Sequence, residues 1–403
     1  MVIRSVSLTH VRNHEHTEIV CARDMNVLTG SNGSGKTTIL EAISLCAIAK
    51  SFVPVPDQAL IKHGFEDCTS TVEALRDLDV PYRISVSVRN GIRKRITTAH
   101  GSSLTPRDII GELPIVALSP DHKSVTFGGP AERRAFLDGV MAQSSKRFTE
   151  LLYEHRRLLK QRNAALQTRA LMHDGGEELD VWTEQFVLVS AEIVERRNRF
   201  LADVTPIVCS AYQAVSGSAE TIDVVYQPDV ASHGMLEADT LHSSSAVAEA
   251  YRAAARMLRP REMARESTLF GPQKDEIAFM INGGLVRETA SQGQHKSLLV
   301  ALKLAECELL HERCNERPVV LLDDVFSELD RDRCARVLER VLAMGMQCFV
   351  TTTEGESVLR VMKEINNTRG GGIDISMITL DGGIASYVER TSELPLLQSA
   401  EAA

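Results

Sequence analysis

The run Gly30-Ser31-Asn32-Gly33-Ser34-Gly35-Lys36-Thr37-Thr38 constrains this chain more than any other feature. It satisfies the phosphate-loop pattern GxxxxGK[ST] in full. The apolar run Met25-Asn26-Val27-Leu28 precedes it and a helical stretch at 38–50 follows, which is the strand–loop–helix setting the pattern needs. Glycines let such a loop curl until its N–H groups converge on phosphate oxygens. The helix start adds a favourable dipole. Lys36 is expected to reach the outer phosphates and Thr37 to ligate Mg²⁺. The chain is therefore expected to hold a nucleoside triphosphate in an α/β fold.

A second part of that site lies far downstream. Pro318-Val319-Val320-Leu321-Leu322 is an apolar strand that ends in Asp323 and Asp324. Carboxylates at a strand end beside a phosphate loop suit a Mg²⁺–triphosphate, one facing the metal and the other orienting the attacking water. Asp323 follows Lys36 by 287 positions (323 minus 36), so a large insertion must separate the halves. Between them Ser291-Gln292-Gly293-Gln294 opens an amphipathic helix at 297–313, a second anion-seeking device. Two such devices on one chain suggest that one serves a neighbouring subunit's nucleotide.

The pattern along the chain agrees with an insertion. Strands are expected at 2–8, 18–20, 26–28, 72–75, 82–89, 92–97 (around an Asn90-Gly91 turn) and 115–118. Helical periodicity then runs over 131–171. After the break at His173-Asp174-Gly175-Gly176, Trp182, Phe186, Val189, Ile193, Phe200 and Val204 form a heptad-like seam ended by Pro206. Two antiparallel helices forming an arm of ~35–50 Å is the expectation from 1.5 Å per residue, with a compact helical bundle as the alternative. A strand at 222–226, a loop at 231–245 and a helix at 246–259 complete the insertion, and mixed α/β character returns from Thr268. The expected domains are 1–130 (head, with the phosphate loop), 131–265 (inserted helical arm), 266–391 (remainder of the head) and 392–403 (a tail).

Composition narrows the function classes. The 403 residues carry a net charge of −9, which argues against an all-over basic coat while permitting a local basic face. No secretory leader and no membrane span are expected, and the 8 scattered cysteines form no CxxC pair, so reduced thiols, no metal centre of their own and a cytoplasmic setting are the reading.

Several motifs together resemble the RecF family of ABC-type ATPases. They are Leu8-Thr9-His10-Val11-Arg12-Asn13-His14, the loop at 30–38, Leu40-Glu41-Ala42-Ile43, Lys50-Ser51-Phe52, Leu118-Ser119-Pro120-Asp121 and Arg133-Arg134-Ala135-Phe136-Leu137-Asp138. To these are added Gly271-Pro272-Gln273-Lys274-Asp275, Ser291-Gln292-Gly293-Gln294 and the stretch from Leu321 to Asp330. The resemblance spans nearly the whole chain, with little of it at 207–263. It implies a recombination and repair ATPase that dimerises head to tail on ATP, binds DNA at gaps or junctions, and works with RecO and RecR to load RecA. By position it implies Lys36 on the phosphates, Thr37 and Asp323 on Mg²⁺, and Asp324 as the catalytic carboxylate. Ser291 would contact the γ-phosphate in trans, with Ser327 and Asp330 in the loop joining the two sites.

Two departures stand out. Gln273-Lys274 replaces the family's His-Arg, and Thr351-Thr352-Thr353 stands where ABC heads place a histidine, which points to slow hydrolysis. For DNA, a stripe along the first arm helix that includes Arg156, Arg157, Lys160 and Arg162, together with Arg93 and Arg95 near the hairpin, is the expected phosphate-contact surface. The competing readings are a nucleotide-binding subunit of an SMC-like or transport complex, and a metabolic kinase or GTPase. The basic helical insertion and the lack of an LSGGQ-like signature disfavour the transport reading, and the 287-position gap with the lack of an NKxD element disfavours the GTPase reading.

Overall fold

The computed structural model describes residues 1–172, 176–232, 236, 238–325, 331–368 and 372–390. Along the chain, β1 (Val2–Val11) and β2 (His14–Val20) form a hairpin, and β3 (Met25–Thr29) runs into the phosphate loop and α1 (Lys36–Ile48). Next come β4 (Asp67–Leu75), β5 (Pro81–Arg89), β6 (Ile92–Thr98), β7 (Ser103–Leu104) and β8 (Ile115–Leu118). Helices α2 (Pro130–Ser144), α3 (Lys146–Met172) and α4 (Gly176–Ser216) follow, then β9 (Ile222–Gln227) and α5 (Ser244–Arg265). The chain continues through β10 (Glu276–Ile281), β11 (Gly284–Leu285), α6 (Gln292–Cys314), β12 (Val319–Asp323), α7 (Arg331–Ala343), β13 (Cys348–Thr352), α8 (Gly355–Thr368), β14 (Ile375–Asp381) and β15 (Ile384–Arg390).

By packing, the chain divides into two compact units, residues 1–121 with 310–403, and residues 122–309. In the first unit, β2-β1-β4-β5-β6-β7 form an antiparallel sheet and β15-β14-β3-β13-β12-β8 a second, mainly parallel one. The antiparallel strands alternate buried and half-buried residues, as one-sided packing requires, and the central parallel strands are buried throughout. Helix α1 shares one core with residues of both sheets, including Ile3, Leu8, Val72, Ile84, Leu321 and Phe349. Eleven of its thirteen residues are therefore buried, and its sequence is apolar almost all round.

In the second unit, β11-β10-β9 form a small antiparallel sheet beside the helices. The expected single helix over 131–171 is broken at Ser145, whose extended backbone separates α2 from α3. The seam on α4 does face inward, with Phe186 and Ile193 at 0% exposure. The pair α3/α4 does not stand bare, because Tyr251, Ala254 and Leu258 of α5 share its core with Leu158, Phe186 and Phe270.

Pro206 does not end α4, which continues to Ser216. Proline removes one N–H and crowds the preceding turn. There the Thr205 hydroxyl donates to the Leu201 carbonyl at 2.7 Å. Pro260 likewise lies inside α5. The expected loop at 231–245 contains short helical turns at Asp229–Ser232 and Ala238–His242. Residues 266–309, expected with the head, pack in the second unit, where β10 pairs with β9. The expected tail at 392–403 lies outside the described residues. Among the described residues no helix is long and apolar enough to cross a membrane.

Candidate active site

Parallel pairing sets the geometry of the site. β13 lies between β3 and β12, in a register that levels Leu28 with Thr351 and Thr351 with Asp323. The carboxyl ends of all three strands therefore open on one edge of the sheet, where α/β folds place their ligands. The phosphate loop leaves β3 through Gly30 (φ 144°), Gly33 (φ 81°) and Gly35 (φ 106°). A side chain at Gly30 would run into the Leu380 carbonyl, and one at Gly35 into the His14 ring.

Other turns of the same unit brace the loop. Asn13 Nδ2 donates to the Gly33 carbonyl at 3.1 Å, and the His14 ring meets the Gly35 carbonyl at 3.1 Å. The Gly383 N–H donates to the Ser34 carbonyl at 3.1 Å. Behind the loop, buried Glu41 accepts from Arg12 at 2.7 Å and from Ser51 at 2.8 Å. The opening motif Leu8 to His14 and the stretch Lys50 to Phe52 thus support the loop from outside it. Sequence pattern alone carried no role for them.

Lys36 Nζ folds back to donate to the Gly30 and Ser31 carbonyls at 2.7 and 2.8 Å. Burial lowers its pKa, against the opposing pull of Asp324 and Asp323. Thr37 Oγ1 donates to Asp323 Oδ1 at 2.7 Å, so the two expected Mg²⁺ ligands meet across 286 positions. Burial raises the Asp323 pKa, and hydroxyl donation from Thr351 and Thr37 opposes the rise. The Thr37 hydroxyl and the buried Asp323 carboxyl are hard oxygen donors of the kind that suit Mg²⁺. Among the described residues Ser34 Oγ is buried without a partner, as suits a loop built to wrap an anion. Ser31, Asn32 and Gly33 are exposed, whereas Ser34, Gly35, Lys36 and Thr38 are buried.

The comparisons with known proteins bear on this arrangement. The family model of the RecF/RecN/SMC N-terminal domain matches residues 2–370. A DNA replication and repair protein RecF from Chlorobaculum tepidum is 33% identical over 354 residues, which is 88% of this chain and 94% of the relative. One from Geobacillus thermodenitrificans is 32% identical over 89% of this chain and 94% of its own length. The chain belongs to the RecF family of DNA replication and repair proteins. A solved structure described as the recombination mediator protein RecF with ATP in the RecFOR pathway has a TM-score of 0.84 at 24% identity, covering 96% of this chain and 98% of that one. An Smc head bound to the C-winged helix domain of ScpA has a TM-score of 0.54 at 15% identity, covering 99% of each chain. The fold is an ABC-type ATPase head with a helical insertion, and the SMC likeness is the more distant one.

Other residues singled out by the RecF resemblance are placed as follows. Ser291-Gln292-Gly293-Gln294 starts α6 in the second unit, where the Ser291 N–H donates to Gln294 Oε1 at 2.7 Å and the Gln294 N–H to Ser291 Oγ at 3.3 Å. This reciprocal capping box holds the helix start in shape. Ser327 and Asp330 lie outside the described residues. Gln273, the departure from His-Arg, faces another imidazole, since the His155 ring lies 3.2 Å from Gln273 Oε1.

Arg156, Arg157 and Lys160 are exposed on α3, and Arg93 and Arg95 are exposed on β6. Arg162 is different and corrects the expected stripe. It is 2% exposed and forms a two-pronged pair with Glu262 at 2.9 and 2.6 Å, with further bonds to Thr268 and Thr183. Its guanidinium also lies over the Phe270 ring at 4.7 Å. A helix with an exposed and a packed face places residues two apart on different sides, so Lys160 reaches solvent and Arg162 the core.

Proposed function

We propose that this chain is an ATP-dependent DNA-binding protein whose ATP-bound form is a head-to-tail homodimer. The observation that carries the reading is the meeting of Lys36, Thr37 and Asp323 at one sheet edge beside Asp324. On nucleotide entry, Lys36 exchanges the Gly30 and Ser31 carbonyls for phosphate oxygens, and the loop N–H groups close around them. Mg²⁺, when bound by Thr37 and Asp323, neutralises charge on the outer phosphates. Asp324 orients the attacking water and accepts its proton. Ser291 of the partner subunit completes the site over the γ-phosphate, with Ser327 and Asp330 in the connecting loop. The Thr351-Thr352-Thr353 segment holds no titrating imidazole, so hydrolysis is slow and times the life of the dimer on DNA.

Arg156, Arg157, Lys160, Arg93 and Arg95 contact DNA phosphates at gaps or single-strand/duplex junctions. RecO- and RecR-type proteins act with the dimer to load a RecA-type recombinase in the cytoplasm. The domain roles follow the same reading, with the helical insertion lying within the second unit (122–309) and the phosphate loop and its acids in the first.

The test is nucleotide-dependent self-association, measured by sedimentation with plain and gapped duplex present. Wild type should dimerise with ATP and bind gapped DNA more tightly when RecR-type protein is added. Lys36→Ala should lose ATP-driven dimerisation. Asp324→Asn should keep it while hydrolysis falls about a hundredfold or more. A protein that remains monomeric with ATP and ignores DNA excludes this reading, and normal hydrolysis by Asp324→Asn removes that carboxylate from its role.

A further inference from the structure

Near the end of β13, the Thr351 hydroxyl engages the carboxyl of Asp323, the last residue of β12, and the backbone N–H of Asp324 just after it. Thr351 is 1% exposed. Its Oγ1 donates to Asp323 Oδ1 at 2.7 Å and accepts the Asp324 N–H at 2.9 Å. A hydroxyl has one proton and two lone pairs, so the proton is committed to Asp323. Thr351 therefore has no proton left to donate to a γ-phosphate, whereas Thr353 is exposed past the strand end.

The second bond falls where the backbone departs from ordinary geometry. Asp324 has φ 50°, in the left-handed region that residues with a Cβ enter at a cost. Holding its N–H fixes the direction in which β12 ends and hence where its carboxylate can lie. The first bond acts on Asp323, whose Oδ1 also accepts the Thr37 proton at 2.7 Å. One hydroxyl thus sets the metal-facing and water-facing acids at once.

We propose that Thr351 is a positioning residue of the ATPase, tying the orientation of Asp323 to the backbone of Asp324 through one hydroxyl. This assignment rests on the ATPase reading above. Valine matches the shape of threonine and lacks both hydrogen bonds, so Thr351→Val separates chemistry from packing. It leaves Asp323 one donor short and the Asp324 N–H without its hydroxyl acceptor.

The experiment uses the full chain with a fluorescent ATP analogue, with EDTA or Mg²⁺, and steady-state hydrolysis on DNA. Without Mg²⁺, Thr351→Val should bind the analogue within about twofold of wild type, because the phosphate loop is untouched. The gain in affinity on adding Mg²⁺ should shrink, and kcat should fall about tenfold or more with KM within about threefold. Thr351→Ser should restore both within about twofold, since the hydroxyl returns. If Thr351→Val proves unstable, Thr351→Cys against Thr351→Ser makes the same comparison, because a thiol is a weak donor. A Thr351→Val protein with wild-type Mg²⁺ response and turnover overturns the assignment, as does a serine variant as impaired as the valine one. Wild type that binds no ATP, and so matches Lys36→Ala, sinks the ATPase reading as well, which separates the two failures.

Discussion

At the scale of single residues, buried polar side chains of this protein take their roles from partners distant in sequence. His155 is 7% exposed, tilts against the Phe186 ring at 5.2 Å, and lies beside Gln273. Burial, then the positive charge of Arg197, push its pKa down to about 4, while Gln273 and Asp138 oppose the shift. The folded pKa thus lies below the unfolded value near 6.5. The unfolded chain takes up this proton first, so the contribution to stability is full above about pH 6.5 and is lost as pH falls toward 4. Within that window one such histidine changes stability by about 1.4 kcal/mol per pH unit. Denaturation of wild type and His155→Gln at several pH values checks this. The variant should show a shallower loss on acidification.

At the scale of elements, α3 shows how one charged helix divides into a structural and a solvent-facing side. Arg162 and Glu262 are 2% and 0% exposed as side chains, and each satisfies the other. Removing one member leaves an uncompensated buried charge, which costs about 3–5 kcal/mol. Arg162→Ala should therefore lower stability by that amount in denaturant unfolding. Replacing Arg156, Arg157 and Lys160 with alanine should change stability by less than about 0.5 kcal/mol each and weaken DNA binding instead. The local pattern of α3 displays both sets of charges alike. Only the closeness of α5, which brings Glu262 to a residue 100 positions earlier, separates them. The same holds for Pro206, read from sequence as a helix end and found inside α4, because tertiary packing holds that helix together past the missing N–H.

At the scale of the whole molecule, the proposed DNA binding must coexist with a net charge of −9. The proposed solution is a small cationic surface within an acidic protein. Its affinity should fall steeply with salt through counterion release and vary little with base sequence. Fluorescence titration of several duplex sequences across a salt series measures both. A flat salt response contradicts phosphate contacts, and each surface cation removed should make the slope shallower by up to about one. The two-unit division also bears on the proposed composite site. The phosphate loop and its acids belong to one unit and the Ser291 helix start to the other.

The sequence by itself determined the chemistry: a phosphate loop, a strand ending in two acids, the insertion between them, and membership of the RecF family. These were legible because each is a short motif whose function depends on neighbouring residues and on the order of the parts. Much of the α/β alternation was legible for the same reason, since side-chain periodicity is local. Tertiary structure alone decided which hydroxyl holds Asp323, which turns brace the loop, which arginine is buried and how far the second unit extends. Those outcomes depend on contacts such as Thr351 to Asp323, 28 positions apart across neighbouring strands, and Asn13 to Gly33, 20 apart. The periodicity of one segment carries no information about its partner in space, so the register of strands and the packing of helices settle them.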